Sequence, residues 1–318
     1  MNHYQLFKNH QTIERGNGER TANGYLKDIG RFRKWLDNEG CEDGVPLQWN
    51  EVEANTIRAY LAHLEPSAAY TRRVIASLTN WFDYLSDIAK EGSGNPAREI
   101  RKPKLPKRDP PALDFDVAQQ LIQSAVEHSR PGERLRNWTL IAFLLGTGVR
   151  RFEAAALNVR DIEFQEGLPY SARVIGKGDK ERTVFFTATA QTALYQWLAH
   201  RKKLLLDLSP GTDRDAVWIV PAGRYRGKRM TPGAIYKVVR TFGEKAGIER
   251  ERVFAGKKIK VSVKTHDARS THLTNAADAG MGLREMMDQS GHANAQTLMG
   301  YLRPNEAERE RAMALIPD

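Results

Sequence analysis

The sequence predicts a mainly helical protein with a small antiparallel β-sheet. Three observations lead to this class. Apolar residues recur at the helical period over long stretches, and the segment 171–186 carries two β-prone runs around a glycine-rich turn. A basic, proline-rich stretch at residues 101–111 separates the two parts. Because 318 residues exceed the usual size of one core, we expect two domains.

The first hundred residues predict an all-helical domain, residues 1–100. Apolar residues between Tyr25 and Leu36 fall on one helical stripe, and Gly40 provides a stop signal. The same spacing recurs in residues 56–64 and 67–88.

The next segment, residues 101–111, predicts a stiff cationic linker, because it holds four prolines and five basic residues. The chain carries a formal charge of +10, which is unevenly spread. Residues 1–100 contain 12 Lys+Arg against 14 Asp+Glu, and residues 101–318 contain 37 against 25. This asymmetry favours a polyanionic partner for the second part of the chain.

No apolar run reaches transmembrane length, and the N-terminus lacks the basic-then-apolar pattern of an export signal. We therefore expect a cytoplasmic, nucleoid-associated protein with no membrane partner.

Residues 112–318 predict a second, mainly helical domain with a small sheet. The sheet is expected to contain a hairpin and one further short strand. The predicted elements are a hairpin of 171–175 with 183–186, a strand at 216–220, and helices that include 187–206, 231–246 and 271–279.

Three stretches of this domain combine residue types suited to phosphate chemistry. Each holds a pair: Arg150 with Glu153, His266 with Arg269, and His292 with Tyr301 nine positions later. Taken singly, each pair is weak evidence. An arginine and a glutamate three residues apart are usually a surface ion pair, and a tyrosine is more often a core aromatic residue.

In order and spacing, these stretches resemble the tyrosine recombinase (phage integrase) family, in particular its Xer-like members. The family pattern is Thr-Gly-x-Arg-x-x-Glu-x-x-x-Leu, then Gly-Lys-Gly-x-Lys-x-Arg on a hairpin, then His-x-x-Arg, then Gly-His with a tyrosine nine residues on. Its counterparts here are residues 147–157, 176–182, 266–269 and 291–301. The resemblance implies that residues 112–318 are the catalytic domain and residues 1–100 a SAM-like core-binding domain.

The expected catalytic set is Arg150, Lys177, His266, Arg269, His292 and the nucleophile Tyr301, supported by Glu153. The two arginines are permanent cations whose forked donors match phosphate oxygens. The first histidine can accept the tyrosine proton, and the second can bind a non-bridging oxygen. The lysine at the hairpin tip can protonate the leaving 5′-oxygen. The glutamate is expected to brace the first arginine.

Two lysines of the hairpin turn compete for the role of general acid. Lys177 is flanked by glycines, which allow a close backbone approach to DNA, whereas Lys180 lies beside two carboxylates. We therefore expect Lys177 to be the acid and Lys180 a phosphate contact. Further expected DNA contacts are Arg72, Arg73, Lys102, Lys104 and Lys107.

The resemblance also implies a product, a cofactor requirement and partners. The product would be a 3′-phosphotyrosyl link with a free 5′-hydroxyl, formed without cofactor or metal, and no Asp/Glu cluster has metal-ligand spacing. The partners would be double-stranded DNA and further copies of the chain, as a dimer on one site and a tetramer in the synapse. The sequence leaves open whether a second recombinase or an accessory protein takes part.

Three places depart from the family pattern: Arg151-Phe152, Ala268, and Ser290, which stands where a leucine is usual. We expect these to be packing positions with little bearing on the reaction. Two alternatives remain: a type IB topoisomerase-like enzyme that relaxes DNA, and a catalytically silent DNA-binding protein.

The last residues predict a short helix, since Asn305 and Glu308 are spaced as a capping box. The tail ends in apolar residues, so we expect it to dock on a neighbouring protomer; the alternative is that it folds back on its own domain.

Overall fold

The structure is a computed structural model that describes residues 3–40, 45, 47–91, 94–105, 112–176, 178–208, 212–254 and 257–301, with backbone only for 250–254 and 257–259. The chain divides into two compact units, Met1–Lys107 with Val253–Ile259 and Arg108–Arg252 with Lys260–Asp318. The division falls inside the predicted linker. Lys107, Lys177 and the predicted tail helix lie outside the described residues.

In the residues that the structure describes, the first unit contains four α-helices. Ser67 begins the last of them as predicted, because its hydroxyl accepts a hydrogen bond from the backbone amide of Tyr70 at 3.4 Å. The helices are α1 (His3–Asn9), α2 (Glu19–Asn38), α3 (Ala54–Leu64) and α4 (Ala68–Asp83).

The core of this unit is aromatic. Trp81 of α4 is fully buried, and its ring stacks on Tyr4 with centroids 5.3 Å apart. Phe7 and Trp49 meet it edge-on, at 5.3 and 5.2 Å. The predicted stripe of α2 faces the same core, since Ile29, Phe32 and Leu36 are fully buried. Burial of this apolar surface holds the helices together.

The second unit is mainly helical with a three-stranded antiparallel sheet in the order β1-β2-β3, which confirms the predicted fold class. Its helices are α5 (Phe115–His128), α6 (Pro131–Thr147), α7 (Arg151–Ala156), α8 (Ala188–Leu206), α9 (Pro232–Lys245), α10 (Thr265–Asp278) and α11 (Leu283–Ser290). Its sheet strands are β1 (Ile162–Gln165), β2 (Leu168–Ile175) and β3 (Glu181–Phe185). A separate two-stranded hairpin, β4 (Glu249–Phe254) with β5 (Lys257–Ser262), lies in a segment of the chain that the division assigns partly to each unit.

Two sequence predictions about strands need correction. The hairpin gains a third strand, since Ile162 of β1 pairs with Ala172 of β2. Residues 216–220 form no strand and make only isolated bridges to residues 158 and 229. This short apolar run is almost wholly buried, and such a run carries no periodicity that identifies a strand. The β4-β5 hairpin was not predicted.

Helix α10 begins six residues before its predicted start. Lys264 precedes its first turn, and the carboxylate of Asp267 accepts the backbone amide of Lys264 at 2.9 Å. This cap satisfies one of the free donors at the helix N-terminus. As a result, His266 and Arg269 lie on the first turns of a helix.

Helix α6 crosses the centre of the second unit and sets the position of the candidate site. Leu140, Phe143 and Leu144 are buried, and α8 packs along it. The helix ends at Gly148, and α7 starts three residues later. The opposite end of α7 is fixed by Arg229, whose guanidinium donates to the carbonyl oxygens of residues 155 and 156 at 3.0 Å.

Candidate active site

Gly148 connects α6 to the site through its backbone. Its φ of 64° lies in the left-handed region, and a Cβ here would come within 2.6 Å of the ring of His272. Its carbonyl oxygen accepts a hydrogen bond from Arg269 at 2.8 Å. The glycine is thus needed both for the turn and for the close approach of α10.

Arg150 and Glu153 are joined at the N-terminus of α7. Glu153 accepts the backbone amide of Arg150 at 2.7 Å and its guanidinium at 3.0 Å. The same guanidinium reaches the carbonyl oxygen of Ser290 at 3.3 Å, and about a third of the arginine side chain stays exposed. Arg150 is therefore held in place with part of its donor set open.

Arg269 is 2% exposed and lies opposite Arg150. It donates to the carbonyl oxygens of Gly148 and Ser290, the second at 2.6 Å. Burial first, and then the charge of Arg150, lowers the pKa of Arg269 to about 10, so it remains a cation near neutral pH. Both arginines thus bind the single carbonyl oxygen of Ser290.

Arg182 is a member of this cluster that the sequence analysis did not select, although it closes the Gly-Lys-Gly-x-Lys-x-Arg motif. It donates to both carboxylate oxygens of Glu153, at 2.9 and 2.8 Å. Burial alone would raise the pKa of Glu153, but the hydrogen bonds and charges of Arg182, and then of Arg150, hold it below its ordinary value. Glu153 is therefore an ionised brace between two arginines.

His292 follows the left-handed C-cap of α11. Gly291 has a φ of 66°, and a Cβ on it would lie 3.1 Å from the side chain of Arg182. This turn directs His292 towards Arg269, with Nε2 3.4 Å from the guanidinium. Burial first, and then Arg269 and Arg150, lowers the pKa of His292 to about 4, so its ring is neutral near neutral pH.

His266 is exposed beside a cavity of about 300 Å³ that Arg150 and Arg269 also line. Partial desolvation first, and then Arg269 and Arg150, lowers its pKa, while Asp267 acts in the opposite direction. A neutral imidazole facing this cavity can accept a proton.

Tyr301 is 7% exposed and packs in a small apolar cluster with Leu273, Met286 and Leu298. Its hydroxyl lies 3.3 Å from the Oγ atom of Ser270, the residue that follows Arg269. The ring of Tyr301 thus belongs to the apolar core, while its hydroxyl oxygen lies next to the turn of α10 that contains Arg269. The position fits the interpretation of Tyr301 as a core aromatic residue, and its role as nucleophile stays a prediction.

A second cavity, of about 720 Å³, lies on the other side of Arg150. Its lining includes Arg182, His292 and the exposed Lys180, so Lys180 faces the cluster. The two cavities therefore group four of the six expected catalytic residues, Arg150, His266, Arg269 and His292, with Glu153 bound to Arg150. The fifth, Tyr301, lines neither cavity and is connected to this group through the contact of its hydroxyl with Ser270. The sixth, Lys177, is outside the described residues.

Gln289 is a second residue that sequence reasoning did not find. Its amide nitrogen donates to Phe185 at 2.9 Å and its amide oxygen accepts from the same residue at 3.0 Å, which ties α11 to β3. Its backbone oxygen accepts from Arg182 at 3.1 Å. Gln289 is 7% exposed, and its one signal in the sequence is its position two residues before Gly-His.

The expected DNA contacts of the first unit differ in their surroundings. Arg73 donates to both carboxylate oxygens of buried Asp28, so much of its charge is compensated. Arg72 binds the carbonyl oxygen of Pro103 at 3.1 Å. Lys102 and Lys104 are exposed.

Over the described ranges, no group of three or more His, Cys, Asp or Glu side chains could hold a metal ion. In the same residues, no helix has the length and apolar character needed to cross a membrane.

Two family profiles match the chain, one in each part. The profile of the phage integrase family matches residues 111–308, and that of the phage integrase N-terminal SAM-like domain matches residues 4–87. Tyrosine recombinase XerC of Alcanivorax borkumensis is 27% identical over 300 residues, which are 93% of this chain and 87% of the relative. Tyrosine recombinase XerD of Listeria monocytogenes is 27% identical over 290 residues, 91% and 89% of the two chains.

Solved structures share the fold. XerH site-specific recombinase in its pre-cleavage complex with difH superposes with a TM-score of 0.69 at 21% identity, over 98% of this chain and 84% of that chain. A lambda integrase dimer bound to a COC′ core site gives 0.65 at 15% identity, over 95% of each chain. With the catalytic-domain profile covering most of the chain, the protein belongs to the phage integrase family of tyrosine site-specific recombinases.

Proposed function

We propose that the protein cuts and rejoins duplex DNA at a defined site through a 3′-phosphotyrosyl intermediate on Tyr301. The observation that carries this proposal is the shared carbonyl of Ser290, which binds both Arg150 and Arg269 at 3.3 and 2.6 Å. Two guanidinium groups are thus directed at one small region, where a phosphate would supply the missing negative charge.

The charge of this cluster supports the choice of reaction. Among the described residues, the hydrogen-bonded cluster itself holds the three arginines at positions 150, 182 and 269 and the carboxylate of Glu153, so this cluster has two positive charges in excess. A phosphodiester carries one negative charge, and its five-coordinate transition state carries two. The cluster therefore favours the transition state over the bound substrate, which is the requirement for catalysis.

In the proposed step, the oxygen of Tyr301 bonds to phosphorus and the bond from phosphorus to the 5′-oxygen breaks. His266, which is neutral near neutral pH, takes the tyrosine proton, and His292 binds a non-bridging oxygen. Lys177 gives a proton to the departing 5′-oxygen, with Lys180 as a phosphate contact. The energy of the phosphoester is retained, so the strand can be rejoined to a new partner.

We propose double-stranded DNA as the partner of both units. The exposed Lys102 and Lys104, with Lys107, Arg72 and Arg73, would contact phosphates, although Asp28 compensates much of the charge of Arg73. Residues 1–100 would be the core-binding domain, 101–111 the linker and 112–318 the catalytic domain. The XerH and lambda integrase complexes with DNA support this partner and assembly from several copies of the chain.

A dimer on one site and a tetramer in the synapse are the proposed assemblies, in the cytoplasm on the nucleoid. The XerC and XerD relatives are consistent with dimer resolution, and the lambda and transposon integrases of similar fold with integration or excision.

The test starts by selecting duplexes that the protein binds from a random-sequence library. A selected duplex is then nicked near the cleavage position, so that cleavage releases a short strand and traps the covalent intermediate. Wild type should give an SDS-resistant complex and a free 5′-hydroxyl. Tyr301→Phe should bind the duplex equally well but give no complex.

Three outcomes would contradict the proposal. A Tyr301→Phe complex as abundant as that of wild type would exclude Tyr301 as the nucleophile. Relaxation of any supercoiled plasmid, with no dependence on the selected site, would identify the topoisomerase alternative; site binding with no complex for wild type would identify a silent DNA-binding protein.

A further inference from the structure

Ser290 has a hydroxyl that the proposed reaction does not use. It is the last residue of α11, it is 2% exposed, and it stands where the family pattern has a leucine. Its Oγ atom lies 2.6 Å from the carbonyl oxygen of Met286 and 2.8 Å from Nδ1 of His292. The expectation that Ser290 is only a packing position is therefore wrong, because a leucine side chain makes neither contact.

These contacts determine which nitrogen of His292 carries the proton. A carbonyl oxygen only accepts, so the one hydroxyl proton of Ser290 is directed to Met286. Oγ must then accept from His292, and Nδ1 is the donor. Nε2 lies 3.4 Å from Arg269, whose guanidinium only donates, so Nε2 is an acceptor. Both contacts select the same neutral tautomer.

Burial and the positive charges around His292 keep its ring neutral in the absence of DNA. Burial has the largest effect on its pKa, followed by Arg269, Arg150, His266 and Arg182, and together they lower it to about 4. The other charged groups that line the adjoining cavity are Lys180, Glu181 and Asp288. Near neutral pH, Nε2, the nitrogen of His292 that faces Arg269, therefore carries a lone pair and no proton.

We propose that Ser290 is a positioning residue that holds His292 with its proton on Nδ1, so that the ring binds a phosphate oxygen only after Nε2 takes a second proton from water. A non-bridging oxygen and a bare Nε2 are both acceptors and repel each other. A bound phosphodiester brings negative charge to the cluster and favours the imidazolium. Each cleavage would then add one positive charge to the site before the transition state.

The first test measures the tautomer in the free protein and does not depend on the proposed function. Protein labelled with ¹⁵N in its histidines is examined by long-range ¹H–¹⁵N correlation at pH 7.5, and His292→Gln identifies the signals. Wild type should show a protonated Nδ1 and a bare Nε2. Ser290→Ala should move the ring towards the other tautomer, and Ser290→Thr, which keeps the hydroxyl, should restore the wild-type pattern.

A matched control is Ser124→Ala. Ser124 is also buried, in α5, and its hydroxyl donates to the carbonyl oxygen of Phe242 at 3.0 Å. This variant loses a buried hydroxyl in the same unit without touching the site, so the His292 signals should not change.

The second test rests on the proposed function and follows the pH dependence of the covalent complex on the selected, nicked duplex. In wild type, the yield should fall as pH rises and His292 loses its second proton. In Ser290→Ala, the neutral ring can carry its proton on Nε2, so this alkaline limb should move up by roughly one pH unit or disappear.

A bare Nδ1 in wild type, or a Ser290→Ala variant with an unchanged His292 spectrum and pH profile, would overturn the inference. If wild type forms no covalent complex on any selected duplex, the proposed function fails, while the spectrum of the free protein still decides the tautomer.

Discussion

The interior around Trp81 in the first unit and the interior around Arg269 in the second are both closed to solvent, but they contain different chemistry. Trp81 is surrounded by aromatic rings, and its indole nitrogen has no hydrogen-bond partner within the described residues. Arg269 is surrounded by carbonyl oxygens, a histidine and a second arginine. The first region derives its stability from apolar burial, which has no directional requirement.

The second region buries charge, which is costly unless each group is bonded. Its hydrogen bonds fix the direction of the donors, so the cations of this region are preorganised. The burial of their charges lowers the stability of the fold. Substitutions in the two regions should therefore have separable effects, on folding in one and on cleavage in the other.

The largest effect is expected from Arg269→Lys. Lysine keeps the charge, but its compact ammonium lacks the planar, spread donors with which a guanidinium reaches two carbonyl oxygens and a phosphate at once. We expect covalent complex formation on the selected duplex to fall by about a hundredfold to a thousandfold. The rate of complex formation, corrected for the folded fraction, measures this loss.

Arg201→Lys is the matched control for that variant. Arg201 is 5% exposed and donates to the carbonyl oxygens of residues 216 and 214, at 2.7 and 2.6 Å, away from the site. It should lose similar stability and keep its cleavage rate. Equal loss of cleavage in both variants would show that burial of an arginine matters and its position does not.

Trp81→Ala tests the other side of the comparison. Removing a fully buried indole should lower the free energy of unfolding of the first unit by about 3–4 kcal/mol, measured by urea denaturation of the full chain. Trp81→Phe should cost only about 1 kcal/mol, because no hydrogen bond of the indole is lost. A phenylalanine variant as unstable as the alanine variant would contradict an apolar account of this core.

Gly148→Ala connects folding with the site. The added Cβ meets His272 at 2.6 Å in a left-handed backbone, and the carbonyl of residue 148 that binds Arg269 must move. We expect a loss of about 2–3 kcal/mol and a slower cleavage rate. Gly167→Ala, with φ of 81° and open space around its Cβ, should cost about 1 kcal/mol and leave cleavage unchanged.

If both glycine variants were equally stable and equally active, the contact with His272 would have no part in the position of Arg269.

The smallest effect concerns pH. Burial lowers the pKa of His272 from its ordinary 6.5 to about 4, so the folded state favours the neutral ring. Its contribution to stability is complete above pH 6.5 and is lost as pH falls towards 4, because the unfolded chain then binds the additional proton. Between pH 7.5 and 5.5, the free energy of unfolding should fall by about 1.4 kcal/mol from this residue.

Urea denaturation across this range measures the effect, and His272→Phe should be less stable at pH 7.5 yet show a flatter pH dependence. His292 shifts in the same direction, with a smaller contribution because solvent screens its half-buried ring. An unchanged slope in the His272 variant would assign the acid sensitivity to other groups.

The sequence by itself determined the mainly helical class and the residue pairs that lie close along the chain. The pair Arg150 and Glu153 follows from the spacing of a helix cap, because the third residue of a helix can reach back to the N-cap residue. His266 and Arg269 lie three residues apart on one face of a helix once α10 is extended to Thr265. These are local relations, which backbone geometry fixes without tertiary packing.

Only the tertiary structure decided which distant groups complete the site. Arg182 reaches Glu153 across 29 residues, and Arg150 reaches the carbonyl of Ser290 across 140. It also showed that the Tyr301 ring is buried while its hydroxyl meets Ser270. Such contacts depend on how α6, α10, α11 and β3 pack, and packing is the sum of many weak interactions that no spacing of residues along the chain records.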